Sequence, residues 1–297
     1  MNVHSFPLGE KIIAMTLIDQ QLYLLRERKC EEIDVYSTVD YRLLRRINLD
    51  NLNKIGIVSW PEGGKSYQDM ASCPVKKCLY LISQSSVVHR IDLLGNITQC
   101  TISTNFYVYG ISVAQNCNLL VSGRSCSENP CIVEWDWKAS KIIRQVELIF
   151  KDQRQPSYFL FRPLQFSNCD AVVYYGSYRH RVSLVSVSQD GRPTSVCETN
   201  FYGHESASYT VGRLSSPSHM DVDPDTGSIF VADSGDHRVV LLSRSLLFLR
   251  SIKDGIQGRW IKRVCFDNVT RCLFVGMEGE NGGVLKALKF CRVVHEK

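Results

Sequence analysis

The chain has 297 residues, 44% hydrophobic and 22% charged, which is enough apolar material for one large all-β domain or two smaller ones. Its net charge of +5 and pI near 8.5 permit an anionic partner without demanding one. No stretch approaches the roughly 20 apolar residues of a membrane helix, and MNVHSFPLGEK lacks the basic start and apolar centre of a signal peptide, so a cytoplasmic protein with no membrane partner is expected.

Short apolar runs split by tight turns recur along the chain and leave no room for helices. After residues 2–7, the first unit has an innermost run Ile12–Ile18, a central pair Leu22–Leu25 and Ile33–Tyr36, and an outer run Arg42–Leu49. The second has Tyr67–Ala71, Leu79–Ile82, Val88–Ile91 and Ile97–Ile102. The third has Gly110–Val113, Leu119–Val121, Ile132–Trp135 and Lys141–Leu148. The fourth has Leu164–Phe166, Val172–Tyr175, Val182–Val185 and Pro193–Glu198. The fifth has His219–Val222, Ile229–Ala232, Val239–Leu242 and Leu246–Ile252. The sixth has Ile261–Phe266, Leu273–Val275 and Val284–Ala287 but no outer run. The central runs are apolar throughout rather than alternating, as expected of sheets covered on both faces. A single domain of units near 10–50, 66–103, 108–149, 162–199, 215–253 and 259–290 follows, with 2–7 supplying the missing fourth strand and Cys291–Val294 as the competitor. Polar stretches at 51–65, 151–158 and 200–213 read as loops between units.

The best-marked unit is SPSHMDVDPDTGSIFVADSGDHRVVLLS. Pro224 presets φ and Gly227 can take the positive φ that closes the first turn. Pro217, Asp223, Gly227, Val231-Ala232-Asp233 and His237-Arg238-Val239 fall where an NHL repeat has its marks, and the unit resembles one blade of such a β-propeller. The resemblance implies a six-bladed propeller of four-stranded antiparallel blades, closed by a strand from one terminus. It also implies a non-catalytic, protein-binding scaffold without a cofactor, like the substrate-recognition propellers of tripartite-motif NHL proteins in the ubiquitin pathway. Some similar propellers bind single-stranded RNA on a basic face, which is the alternative reading.

Three His-Arg pairs, His89-Arg90, His180-Arg181 and His237-Arg238, each read as opening the third strand of a blade. Together with Tyr178, Arg179 and Tyr202 they are the candidate binding residues, as a cationic rim with aromatics for stacking. The competing expectation is that each arginine pairs within its own turn. Asp233 lacks carboxylate counterparts at Arg26, Ser83, Gly123, Gly176 and Met277, so no oxygen-rich metal ring is expected. The third reading, a metal-dependent hydrolase or lyase, would draw on Asp19, Asp69, Ser112, Gln165, His219, Asp221 and Asp267 near the axis. That set is scattered, and no Gly-x-Ser-x-Gly turn accompanies it. The twelve cysteines lack CxxC spacing and are expected as packing thiols. Cys126 and Cys131 are the pair expected to oxidise first. Asn96-Ile97-Thr98 and Asn268-Val269-Thr270 match glycosylation sequons that carry no weight in the cytosol.

Overall fold

A computed structural model describes residues 2–27, 32–49, 67–83, 87–102, 106–114, 116–125, 130–149, 159–166, 169–176, 181–187, 194–195, 197–203, 214–256, 258–279 and 282–290. Every regular element among them is a strand. The first sheet contains β2 (Ile12–Ile18), β3 (Gln21–Arg26), β4 (Glu32–Ser37) and β5 (Leu43–Asn48). The second contains β6 (Tyr67–Cys73), β7 (Cys78–Ser83), β8 (Val87–Asp92) and β9 (Ile97–Thr101). The third contains β10 (Phe106–Val113), β11 (Leu119–Ser125), β12 (Pro130–Asp136) and β13 (Lys141–Ile149). The next pairs β14 (Phe159–Phe166), β15 (Cys169–Gly176), β16 (Arg181–Val187) and β18 (Cys197–Gly203). The intervening β17 (Thr194–Ser195) leaves it to pair with β13. The following sheet holds β19 (Pro217–Val222), β20 (Ile229–Asp233), β21 (Arg238–Leu242) and β22 (Phe248–Ile252). The last holds β23 (Trp260–Asp267), β24 (Cys272–Gly279), β25 (Gly282–Lys289) and, beside β25, β1 (Asn2–Pro7).

Five of these sheets are described with their side chains, against the six blades expected. For the sheet over 159–203 the backbone pairing is described, with Val182 as its one placed side chain; that residue packs with Met220, Val231 and Val240. The innermost strands approach one another in the cyclic order β2, β6, β10, β14, β19, β23 and back to β2. Each sheet thereby covers its neighbour. Ala14, Tyr23, Leu25, Ile33 and Val35 pack on Met70, Leu79, Leu81 and Ile91 between the first and second sheets. Equivalent apolar layers join second to third, fifth to last, and last to first. The central strands are buried along their length for this reason: all of Leu22–Leu25, Ile229–Asp233 and Cys272–Met277 are enclosed.

Residues 2–7 close the ring as expected. β1 pairs antiparallel with β25 from Asn2↔Lys289 to Pro7↔Val284, and the Leu8 N–H donates to the Gly283 carbonyl at 2.9 Å. The competing segment, Cys291–Val294, lies outside the described residues, as do 51–65 and 151–158. The outer strand of the fourth unit is shifted from expectation. It runs over Cys197–Gly203 rather than Pro193–Glu198, so the expected loop at 200–213 begins as strand.

Two backbone devices repeat more faithfully than the residues. In five inner strands the ladder skips one residue at the same place: Ile13, Gln68, Tyr109, Ser218 and Lys262 are left between paired neighbours. The turn after the inner strand is the second. Asp223 accepts the Asp225 N–H at 3.1 Å and the Thr226 hydroxyl at 2.9 Å, and Gly227 closes the turn at φ +71°. Asp267 does the same for Val269 (2.9 Å) and Thr270 (2.8 Å). The apparent sequon at 268–270 is thus three-quarters of an Asp-x-x-Thr turn.

Candidate functional site

The expected cationic rim does not form among the described side chains. Leu81 pairs with Met70 and His89, as Val231 pairs with Met220 and Val240. His89 therefore stands where Val240 does, in mid-strand, two positions beyond the place Arg238 takes in its blade. Its ring is 0% exposed, shares a face with Leu81 and Ile91, and makes no hydrogen bond at either nitrogen. Burial alone pushes its pKa down to about 4. Arg90 lies on the opposite face, half-buried near Cys78 and Tyr80.

His237-Arg238 also turns inward. His237 takes a left-handed backbone (φ +49°), places Nδ1 2.8 Å from the Arg259 carbonyl, and meets Trp260 edge-on. Arg238 is buried and bonds Asp233 through Nε at 2.8 Å and Asp236 through Nη2 at 2.9 Å. Asp233 also accepts the Ser215 N–H. Burial nevertheless dominates its titration and raises its pKa to about 6, against the pull of Arg238. The arginine pairs inside its own turn, as the competing expectation held. Arg181 opens β16 opposite Gly203, and Tyr202 pairs with Val182, but only their backbones are described. Tyr178, Arg179 and His180 lie outside the described residues.

The inner strands bring together a different set. Asp69 is buried, accepts the Met70 N–H at 3.0 Å and reaches the Ile111 N–H of the next blade at 3.1 Å. His219 occupies the matching register and accepts the Val264 N–H of its next blade through Nδ1 at 3.3 Å. That bond places the ring proton on Nε2, which points to Asp69 across the ring at 4.0 Å. Asp221 accepts the Phe266 N–H at 2.6 Å, Ser218 donates to Ile261 at 2.6 Å, and Ser72 donates to Leu17 at 2.7 Å. These polar groups stitch adjacent blades by side chain to backbone.

Asp19 and Asp267 are not part of this axial set. Asp19 sits exposed in the turn after β2, paired with Lys77, and Asp267 organises its own turn. The side chain of Gln165 is not among those described. No group of three potential ligands gathers for a metal among the described residues.

Cys73, Cys78, Cys131, Cys265 and Cys272 are buried free thiols, and Cys100 and Cys117 are partly exposed. Five of these seven line the layer between the second and third blades. Cys131, half of the pair expected to oxidise first, is buried, and Cys126 lies outside the described residues.

Sequence reading missed a surface feature of the outer strands. Val35 pairs with Arg45 and Tyr36 with Leu43, which leaves Leu44 unpaired in a bulge. Glu134 pairs with Arg144 and Trp135 with Ile142, leaving Ile143; Leu241 pairs with Arg250 and Leu242 with Phe248, leaving Leu249. The bulged residues are 46%, 51% and 50% exposed. The signal was available as Leu43-Leu44-Arg45, Ile142-Ile143-Arg144 and Phe248-Leu249-Arg250, but it becomes a repeat only once the register is known.

No family model matches the sequence, and no curated protein matches it. Solved structures do match its architecture. A protein of unknown function from Bacteroides caccae aligns with TM-score 0.59 at 12% identity, over 86% of this chain and 82% of that one. Virginiamycin B lyase from Staphylococcus aureus aligns with TM-score 0.55 at 11% identity, over 97% and 88%. The β-propeller domain of Myceliophteria thermophila Cps50 (Swd1) aligns with TM-score 0.59 at 10% identity, over 94% and 84%. The fold is a β-propeller. Its blades are four-stranded and antiparallel, and a strand from the N-terminal end joins the last one. The NHL likeness of Ser216–Ile252 rests on the residues of that blade alone.

Proposed function

We propose that this propeller is a non-catalytic scaffold that binds a protein partner. The observation that carries the reading is the recurrence of exposed apolar side chains at one register position of three outer strands, while the polar groups near the axis are engaged in holding blades together. The propeller domain of Cps50 (Swd1) shares the architecture at 10% identity, which supports the fold but not a partner. We read the sheet over 159–203 as the blade that completes a six-membered ring of NHL type. By that resemblance the partner would be a substrate in ubiquitin transfer, met in the cytoplasm.

The RNA reading loses Arg238, which is buried and paired, and His89, which is buried; Arg90 is half-buried, and Tyr178, Arg179 and His180 lie outside the described residues. One observation favours a small-molecule or lyase reading: Asp69 and His219 converge across the ring. Against it, Asp69 and the Nδ1 of His219 already accept backbone N–H groups. Affinity capture from source-cell lysate, with and without ribonuclease, tests the scaffold. A specific protein retained after ribonuclease supports it, whereas capture that ribonuclease abolishes, or no capture, overturns it.

A further inference from the structure

We propose that the outer edges of the first, third and fifth blades take up extended, acidic segments of the partner as an added strand. This rests on the scaffold reading and names the chemistry of what is bound. Three observations converge on it. First, β5, β13, β18 and β22 share one outer-strand bulge, which both interrupts pairing and re-aims a side chain; in β18 it falls at Glu198-Thr199-Asn200, so it is the residues at the bulge that set β5, β13 and β22 apart. At it these three strands, β5, β13 and β22, show an apolar pair followed by arginine: Leu43-Leu44-Arg45, Ile142-Ile143-Arg144 and Phe248-Leu249-Arg250. β9, the corresponding strand of the second blade, pairs without a shift and has Thr98 and Gln99 exposed instead.

Second, one such edge already carries a guest. β17 leaves its own sheet and lies parallel on the end of β13, Thr194 opposite Leu148 and Ser195 opposite Ile149. The remainder of β13, from Lys141 to Glu147, has no strand beyond it among the described residues. An exposed apolar edge is a template for pairing, and backbone bonds supply the affinity when an extended peptide adds to it.

Third, the charge has one sign. β5 and β22 contain no carboxylate, and β13 contains only Glu147, at the far end from Ile143. Their arginines are held in place rather than loose. Arg45 donates to the Leu93 carbonyl and Arg250 lies 4.7 Å over the Phe290 ring, while Arg144 is already paired with Glu134 at 2.7 Å, so among the described residues the uncompensated positive charge lies on the first and fifth blades. A pre-positioned guanidinium loses less freedom when it meets a carboxylate.

The test uses the full chain and a capped synthetic octapeptide of alternating valine and glutamate, followed by fluorescence anisotropy. Saturable binding is expected, weakening as salt rises from about 50 to about 200 mM. A valine–lysine octapeptide, and a valine–glutamate peptide N-methylated to block pairing, should bind at least about tenfold more weakly. The combined variant Leu44→Glu, Ile143→Glu, Leu249→Glu changes exposed positions and should lose about tenfold in affinity with an unchanged melting curve. If that variant does not fold, the pair Arg45→Glu, Arg250→Glu serves, with the same loss expected. No binding by the native chain, equal binding of the lysine or N-methylated peptide, or full affinity in a folded variant overturns the proposal. A lysate partner retained equally by the variant overturns the edge site and leaves the scaffold standing; absence of any lysate partner overturns the scaffold itself.

Discussion

His89 and Asp233 are both fully enclosed, and they respond to acid in opposite directions. An unfolded chain protonates His89 near pH 6.5, whereas the folded chain keeps it neutral down to about 4. Its contribution is therefore present above the unfolded value and drains as pH falls through that window. Asp233 is the reverse. Its folded pKa of about 6 lies above the unfolded 3.8, so its contribution is complete below the unfolded value and is lost as pH rises through about 6. Only comparison with variants separates the two. His89→Leu removes two unsatisfied buried nitrogens, and we expect it to gain about 1–2 kcal/mol at pH 7 in urea unfolding. The gain should widen by a further 1–3 kcal/mol, roughly, between pH 6.5 and 4.5; a loss of stability, or a pH-independent difference, would contradict this account of the site. Asp233→Asn removes the carboxylate at 2.8 Å from the buried Arg238 while leaving its Asp236 contact, and should cost about 2–3 kcal/mol at pH 7. The deficit relative to native should grow toward pH 4.

At the scale of the element, backbone geometry is better kept than sequence. The inner, central and outer runs could be read because apolar residues crowd into segments too short for helices, and because β-strands covered on both faces need not alternate. Pro217, Asp223 and Gly227 marked one blade, and only that one, since a turn such as Asp267-Asn268-Val269-Thr270 keeps the hydrogen bonds while exchanging proline and glycine for other residues. What could not be read was register. His89 and Arg238 look equivalent in sequence because each belongs to a His-Arg pair, but the ladder offsets them by two positions, which leaves one in mid-strand and the other at its opening. Outer-strand bulges were likewise invisible until the partners of Arg45, Arg144 and Arg250 were known. Glycine is required at one closure point in particular. A Cβ on Gly283 would enter the Glu10 carbonyl oxygen far inside van der Waals contact, in the stretch where Leu8 bonds to Gly283. Gly283→Ala should therefore destabilise by about 2–3 kcal/mol, with hydrogen exchange rising first in β1 and β25. Uniformly faster exchange over all blades would show that closure is not the local weak point.

For the whole molecule, neighbouring blades are joined by apolar layers and by single polar reaches: Asp69 to Ile111, His219 to Val264, Asp221 to Phe266. Removing one leaves a buried N–H unmatched, so Asp69→Ala should cost about 1–3 kcal/mol. Asp69 and His219 also face each other across the ring, so a double-mutant cycle between them should give a coupling of at least about 0.5 kcal/mol; strict additivity would mean that the 4.0 Å approach carries no energy. The N-terminal strand has a further consequence, in biosynthesis. Strands β2 to β22 have sheet partners close by in sequence, so those partners are made shortly before or after them. β1 is made first, yet its partner spans 282–289. Until that partner emerges β1 must stay unpaired, and a chain halted between the two strands keeps both an orphan segment and an unfinished circle.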